Sequence, residues 1–292
     1  MKLSLPRGMN RSCDWPLVVC LIVLKELGTA HADKVSDEYT EYVKFQRGKT
    51  DWLSRHGQTA TQWVKRDQIA KIVQHVRSHV DLVKHFALCH GTRSGRENLW
   101  FRELLGEVQT WGTELSPIAA MSSPWTIPWD FHKVRPEWKG AADFVYTNAL
   151  DHSYNPSMAV SRWMSEVHSG GALYVQWSNI HEHTVPDKVD IFGASHEGLV
   201  RLLCDAGPFA VSLLPLPLDK MNNHRAYVVR HNKTLPGGSS SSNANGAGRG
   251  GSEADLCASG RTTTSLRTRA KTKKPAKAQR RGTGSEARGK RA

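Results

Sequence analysis

The sequence predicts an α/β domain over residues 85–232: a Rossmann-like, seven-stranded sheet with helices on both faces and the last strand antiparallel. Three observations predict it. Short apolar runs alternate with helical stretches, as a parallel sheet with crossover helices requires. A glycine-rich turn joins the first apolar run directly to a helix. The last two runs are separated only by residues 219–224, too short for a crossover helix, so those strands must be antiparallel neighbours.

The elements follow in chain order. Lys2, Arg7 and Arg11 precede an apolar stretch over residues 15–24 and then Ala30-His31-Ala32. This is the layout of a secretory signal peptide ending at residue 32, and it implies the secretory pathway or secretion. An apolar run of about ten residues is short of the roughly 20 that span a bilayer, so no stable membrane span is expected. Residues 33–84 form a polar lead-in with scattered aromatics (Tyr39, Tyr42, Phe45, Trp52 and Trp63), helical or irregular and packed on the domain. It ends in an amphipathic helix whose Ile69, Ile72, Val73, Val76, Val80 and Val83 recur at three- and four-residue spacings.

Strands are expected over residues 85–89, 108–113, 126–129, 144–147, 172–176, 209–214 and 226–230. Helices are expected between them over 96–105, 117–122, 157–168 and 195–206. From residue 233 the chain carries 14 Lys and Arg against three acids, +11 of the formal +13, so the folded part is nearly neutral. With few large apolar residues this tail cannot offset its ordering entropy and is expected to be disordered. Its removal after Asn232 should leave stability unchanged. Such a tail solubilises, or contacts polyanions without specificity through counterion release. Cys89, Cys204 and Cys257, the cysteines left after a signal cleavage, are too scattered to form a disulfide framework or a metal-ligand spacing.

The chemistry concentrates at Leu88-Cys89-His90-Gly91-Thr92-Arg93-Ser94-Gly95, directly before a helical segment. A glycine turn between a buried strand and a helix lets backbone amides approach a ligand. Glu114 follows Gly95 by 19 residues, at the end of the second strand. That placement suits an acid accepting hydrogen bonds from ribose hydroxyls.

Taken in this order, the segments resemble the class I S-adenosylmethionine-dependent methyltransferases over about half of the chain. That family's first motif is an acid followed by alternating glycines; Gly91 and Gly95 match it, whereas Cys89 stands for the acid and Arg93 for the middle glycine. The resemblance implies S-adenosylmethionine as cofactor, held by Gly91, Thr92, Arg93, Gly95, Glu114, Asp130, Phe131 and Asn148. In it Glu114 takes the ribose, Asp130 lies near the adenine amine, Ala142-Asp143-Phe144-Val145-Tyr146-Thr147-Asn148 is similar to the fourth motif, and Ser169-Gly170-Gly171 to the turn before the fifth strand. S-adenosylmethionine has no pyrophosphate, so it needs no phosphate cradle, in contrast to a nicotinamide dinucleotide.

Methyl transfer is largely positioning plus removal of a proton. Asp151 and His152, just past the fourth strand, are candidates to orient or deprotonate an acceptor, with Tyr154 shaping the pocket; loop and cap roles are the alternative for all three. His181, His183 and His196, with Glu182, invite a metal reading, His181 and His183 being two apart and so on one side of an extended segment; a polar loop accounts for them without a metal, and no metal is assigned. A small-molecule or glycan acceptor is expected. The alternative function is a methyltransferase-fold protein that binds without catalysing.

Overall fold

The computed structural model describes residues 37–58, 62–183, 186–187, 189–218, 223–232 and 254–259. The signal-peptide reading of residues 1–32 and most of the basic tail lie outside the described residues. Among the described residues, no helix is long and apolar enough to cross a membrane.

The chain runs α1 (Asp37–Arg55), α2 (Arg66–His79), β1 (Phe86–His90), α3 (Arg96–Leu105), β2 (Gln109–Glu114), α4 (Pro117–Ala120), β3 (Thr126–Pro128), β4 (Ala142–Thr147), α5 (Pro156–Glu166), β5 (Val167–Ser178), α6 (Asn179–His183), α7 (His196–Asp205), β6 (Phe209–Pro215), β7 (His224–His231) and α8 (Leu256–Ser259). The sheet order is β3-β2-β1-β4-β5-β7-β6. β1 to β5 are parallel, and β7 runs antiparallel to both β5 and β6. The predicted fold class is the observed one.

Alternation along each strand splits the core in two. Leu88, Val145, Leu173, Val175 and Val229 face α5 and α7 with Trp163 and Trp177, while Ala87, Cys89, Phe144, Tyr146, Tyr174 and Val228 face α2 and α3. The apolar stripe of α2 is buried as its spacing predicts up to the helix end at His79, with Ile69, Ile72 and Val76 fully enclosed; Val83, expected on the same stripe, lies past the helix and is exposed. The buried Asp143 carboxylate accepts the amides of Val83 (3.0 Å), Lys84 (2.8 Å) and Phe86 (3.3 Å), and so pins the entry to β1.

Three expectations are corrected. The helix expected over 157–168 ends at Glu166, and β5 starts at Val167, upstream of its expected start, with a register shift against β4 between Ala142 and Phe144. Ser169-Gly170-Gly171 therefore lies inside a strand rather than in a turn; a side chain at Gly171 would run into the Asp143 carbonyl, which explains the glycine. Second, residues 179–183 are helical rather than the extended segment expected.

Third, Cys204 of α7 is disulfide-bonded to Cys257 of α8. The tail is thus not wholly detached: Cys257 is buried, and Asp255 accepts the amides of Val211 (3.2 Å) and Cys257 (2.9 Å). The segment covers β6, the edge strand, whose exposed backbone is otherwise a pairing liability. Pairing of residues 53 apart follows no local pattern, which is why spacing did not reveal it.

Candidate functional site

From the β1–β4 junction the chain order proceeds outward in opposite directions, β1 to β3 one way and β4 to β5 the other, and ligands in open α/β sheets bind beyond the strand C-termini at such a switch point. A cavity of about 410 Å³ lies there, within the usual range of ligand sites. Its walls include Gly91, Thr92, Arg93 and Glu97 from the first turn, Asn148, Asp151 and His152 after β4, Gln176 and His181 around the end of β5, and Lys49 from α1.

The turn after β1 takes its shape from two glycines and one arginine in the left-handed region. Gly91, Arg93 and Gly95 have φ of 70°, 47° and 71°. Side chains at Gly91 and Gly95 would collide with Ala149 and with Ser123 and Thr126. Arg93 adopts the glycine-like conformation without being glycine, a cost that the surrounding contacts must offset. Its amide donates to Glu114 Oε2 at 2.9 Å, and the amides of Gly91 and Thr92 both donate to the Thr113 carbonyl. Contrary to expectation, these three amides are spent on β2 and not offered to a ligand.

Glu114, expected on a ribose, is buried and accepts the amides of Arg93 and Ser116, each at 2.9 Å. Burial raises its carboxyl above the usual range, against the opposing pull of those two amides. Asp130 accepts Tyr39 Oη at 2.5 Å and lies 3.1 Å from His132 Nδ1. Burial would raise Asp130, but the bonds from His132 and Tyr39 outweigh it and hold the carboxyl below its ordinary range. Phe131 packs beneath the turn against Trp163 and next to Gly91. Gly95, Glu114, Asp130 and Phe131 therefore support the cavity from outside its lining, whereas Gly91, Thr92, Arg93 and Asn148 line it.

Helix α1 accounts for the difference. It lies across the strand ends, with Tyr42 Oη donating to the His152 carbonyl (2.6 Å), Gln46 Nε2 to the Val189 carbonyl (3.0 Å) and Ser116 Oγ bonded to Asp51. Tyr154, expected in the pocket, instead packs against the rings of Tyr39 and Tyr42, 5.3 Å away in each case, and bonds Glu38. It belongs to the α1 contact and not to the cavity wall.

Asp151 and His152 are brought together as expected. His152 Nδ1 lies 3.0 Å from the Val189 carbonyl and 3.3 Å from Asp190 Oδ1, and Nε2 lies 3.7 Å from Asp151 Oδ2. A carbonyl only accepts, so Nδ1 carries the proton and Nε2 keeps its lone pair. Burial lowers the imidazole pKa, and Lys49 and Arg93 add to this against Asp151 and Asp190, so the ring is neutral near pH 7. His181 Nδ1 accepts the Ser178 amide at 3.3 Å, which leaves its Nε2–H facing Asp151 Oδ2 at 3.6 Å. Asp151, His152 and Asp190 each bring one ligand-capable atom within 4.8 Å of the others. The two carboxylates address opposite nitrogens of the ring, which is the arrangement of a base held between acids rather than of three ligands facing one ion.

Sequence reasoning missed Asp190, which reaches His152 across 38 residues with no spacing signal, and Glu97, which stands in the first turn of α3. Glu97 is buried, and Gln62 Nε2 donates to its Oε1 at 2.5 Å. Burial pushes its carboxyl up from 4.5 to about 7. Because the folded state holds this proton more tightly, the associated stability is present below about pH 4.5 and is lost as pH rises through about 7. Glu97→Gln should therefore match the wild type at about pH 4 and exceed it at about pH 8 by up to about 3 kcal/mol. Urea melts at the two pH values measure this; parallel pH profiles for the two proteins would refute it.

No protein-family model and no curated protein matches the sequence. Among solved structures, the chain is similar to a Haloferax volcanii chain solved in complex with the Trm112 methyltransferase activator: 15% identity, 62% of this chain and 97% of that one covered, TM-score 0.50. It is also similar to the Burkholderia thailandensis 1,6-didemethyltoxoflavin-N1-methyltransferase, solved with 1,6-didemethyltoxoflavin and S-adenosylhomocysteine: 15% identity, 66% and 90% covered, TM-score 0.51. At that identity the likeness is one of fold, and the fold is that of the class I methyltransferases.

Proposed function

We propose that the protein transfers a methyl group from S-adenosylmethionine to a small-molecule or glycan acceptor seated in the cavity, with His152 as the base. The observation that carries this reading is the cavity itself: it joins the glycine turn of β1 to an imidazole whose tautomer is fixed with Nε2 free. The paired amides of Gly91, Thr92 and Arg93 favour it over hydride transfer, because a dinucleotide's pyrophosphate needs open amides at this turn and S-adenosylmethionine does not.

When bound, S-adenosylmethionine supplies an activated methyl: the acceptor's lone pair forms the new bond to the methyl carbon as the carbon–sulfur bond breaks and its electron pair returns to sulfur. His152 Nε2 takes the proton that the acceptor sheds. Asp190 and the Val189 carbonyl hold Nδ1–H and steady the imidazolium, and Asp151 lies beside Nε2 where positive charge develops. Tyr39 of α1 bonds Asp130 and Tyr42 the His152 carbonyl, so contact of a cofactor with Asp130 requires Tyr39 to give way.

Two features support passage through an oxidising compartment: the signal-like residues 1–32 and the Cys204–Cys257 bond.

Calorimetric titration with S-adenosylhomocysteine should give saturable one-to-one binding. Absence of binding by the wild-type chain would end the enzyme reading and leave a fold used for some other ligand.

A further inference from the structure

The resemblance leaves the methionine end of the cofactor without its customary acid, because Cys89 occupies that position. Cys89 is fully buried among the apolar residues facing α2 and α3, and burial holds its thiol well above the usual range, so it carries no charge to offer. A carboxylate is nevertheless present close by. Glu97 follows the glycine turn by two residues, is only 4% exposed, and lines the cavity beside Thr92, Arg93 and Gln176.

Its two oxygens are used unequally. Oε1 accepts from Gln62, whereas Oε2 is buried and has no hydrogen-bond partner among the described residues. The first turn of a helix favours an acid through the helix dipole. That accounts for a carboxylate at the surface of the turn, not for one enclosed with an oxygen unmatched, since burying an unpaired carboxylate is costly. Burial raises the Glu97 carboxyl, the hydrogen bonds from its own amide and from Gln62 and the charge of Arg93 oppose this, and Glu114 adds to it; Cys89 on β1 and Tyr146 on β4 both feel the Glu97 charge. The second carboxylate oxygen has no donor among the described residues, and a ligand can supply one.

The structure assigns Glu97 as the acceptor for the α-ammonium group of the cofactor's methionine portion, a role moved from the end of β1 to the first turn of α3. This rests on the S-adenosylmethionine reading given above. Gln62 fixes the carboxylate so that Oε2 remains for the ligand, and the ammonium replaces the proton that Glu97 holds near neutrality.

The test compares two probes that differ only in the amino-acid part: S-adenosylhomocysteine, which carries the ammonium, and 5′-methylthioadenosine, which lacks it. Glu97→Gln should weaken S-adenosylhomocysteine about 10- to 100-fold, the usual effect of losing one charged hydrogen bond, and leave methylthioadenosine essentially unchanged. Calorimetry at pH 7 in buffers of different ionisation enthalpy should show a fraction of a proton released when the wild type binds S-adenosylhomocysteine, and none for Glu97→Gln. A retained melting transition in the variant confirms that it is folded. Equal weakening of both probes, no weakening, or unchanged proton release would overturn the role of Glu97. If the wild type binds neither probe, the S-adenosylmethionine reading fails first and the assignment fails with it; if it binds methylthioadenosine alone, the cofactor's adenosine half is supported and the ammonium site is not.

Discussion

His152→Ala should lower methyl-transfer turnover by about 10²- to 10⁴-fold, the usual contribution of a positioned general base, while S-adenosylhomocysteine affinity stays nearly unchanged. The imidazole is held at Nδ1 by the Val189 carbonyl and Asp190, and Asp151 lies 3.7 Å from its free Nε2. Burial, with Lys49 and Arg93, keeps its pKa below the ordinary imidazole range. Turnover should accordingly rise with pH only at the acid end, as the ring loses its proton, and be flat from neutrality upward. Asp151→Asn should also slow turnover, because it places an amide where the carboxylate faces both His152 and His181. Asp190→Asn should be milder, since the Val189 carbonyl still fixes the tautomer. Single-turnover rates with any acceptor found by screening, or slow hydrolysis of the methyl donor in its absence, provide the readout. If His152→Ala and Asp151→Asn both turned over at the wild-type rate, the loop after β4 would have no part in the chemistry.

Breaking the Cys204–Cys257 bond is expected to have the largest effect on stability. The bond closes a loop with a sequence separation of 53 residues; chain-entropy reasoning assigns such a cross-link about 4 kcal/mol. For a domain of this size that corresponds to a fall in Tm on the order of 10 °C. Cys257→Ser, Cys204→Ser and the reduced wild type should all show it. Truncation after Asn232 should cost at least as much, because it also removes the Asp255 side chain that accepts the Val211 and Cys257 amides. This reverses the expectation from composition, which treats the tail as one unit. A truncated chain melting with the wild type under oxidising conditions would show that the docked segment contributes nothing.

Much of the site's scaffold was legible because it is written in local pattern. The strand positions along the chain rest on alternating apolar runs, the turn on Gly91 and Gly95, and the α2 packing on Ile69, Ile72, Val73 and Val76. Asp151 and His152 were found because topology places residues just past a central strand at the ligand face. Glu114 and Asp130 lie outside the cavity lining because, beside the local Ser116 and His132, their partners come from elsewhere: Arg93 from the turn, Tyr39 from a helix 91 residues upstream.

The sequence by itself determined the α/β class, the antiparallel ending and the position of the glycine turn, since each depends on spacing between neighbours along the chain. Tertiary structure alone decided that α1 lies over the strand ends, that Asp190 meets His152, that Glu97 is enclosed with one oxygen unmatched, and that Cys257 pairs with Cys204. The physical reason is the same in all four. A side chain's charge state, accessibility and partners are set by what packs against it, and residues tens of positions apart carry no periodic signal of that meeting.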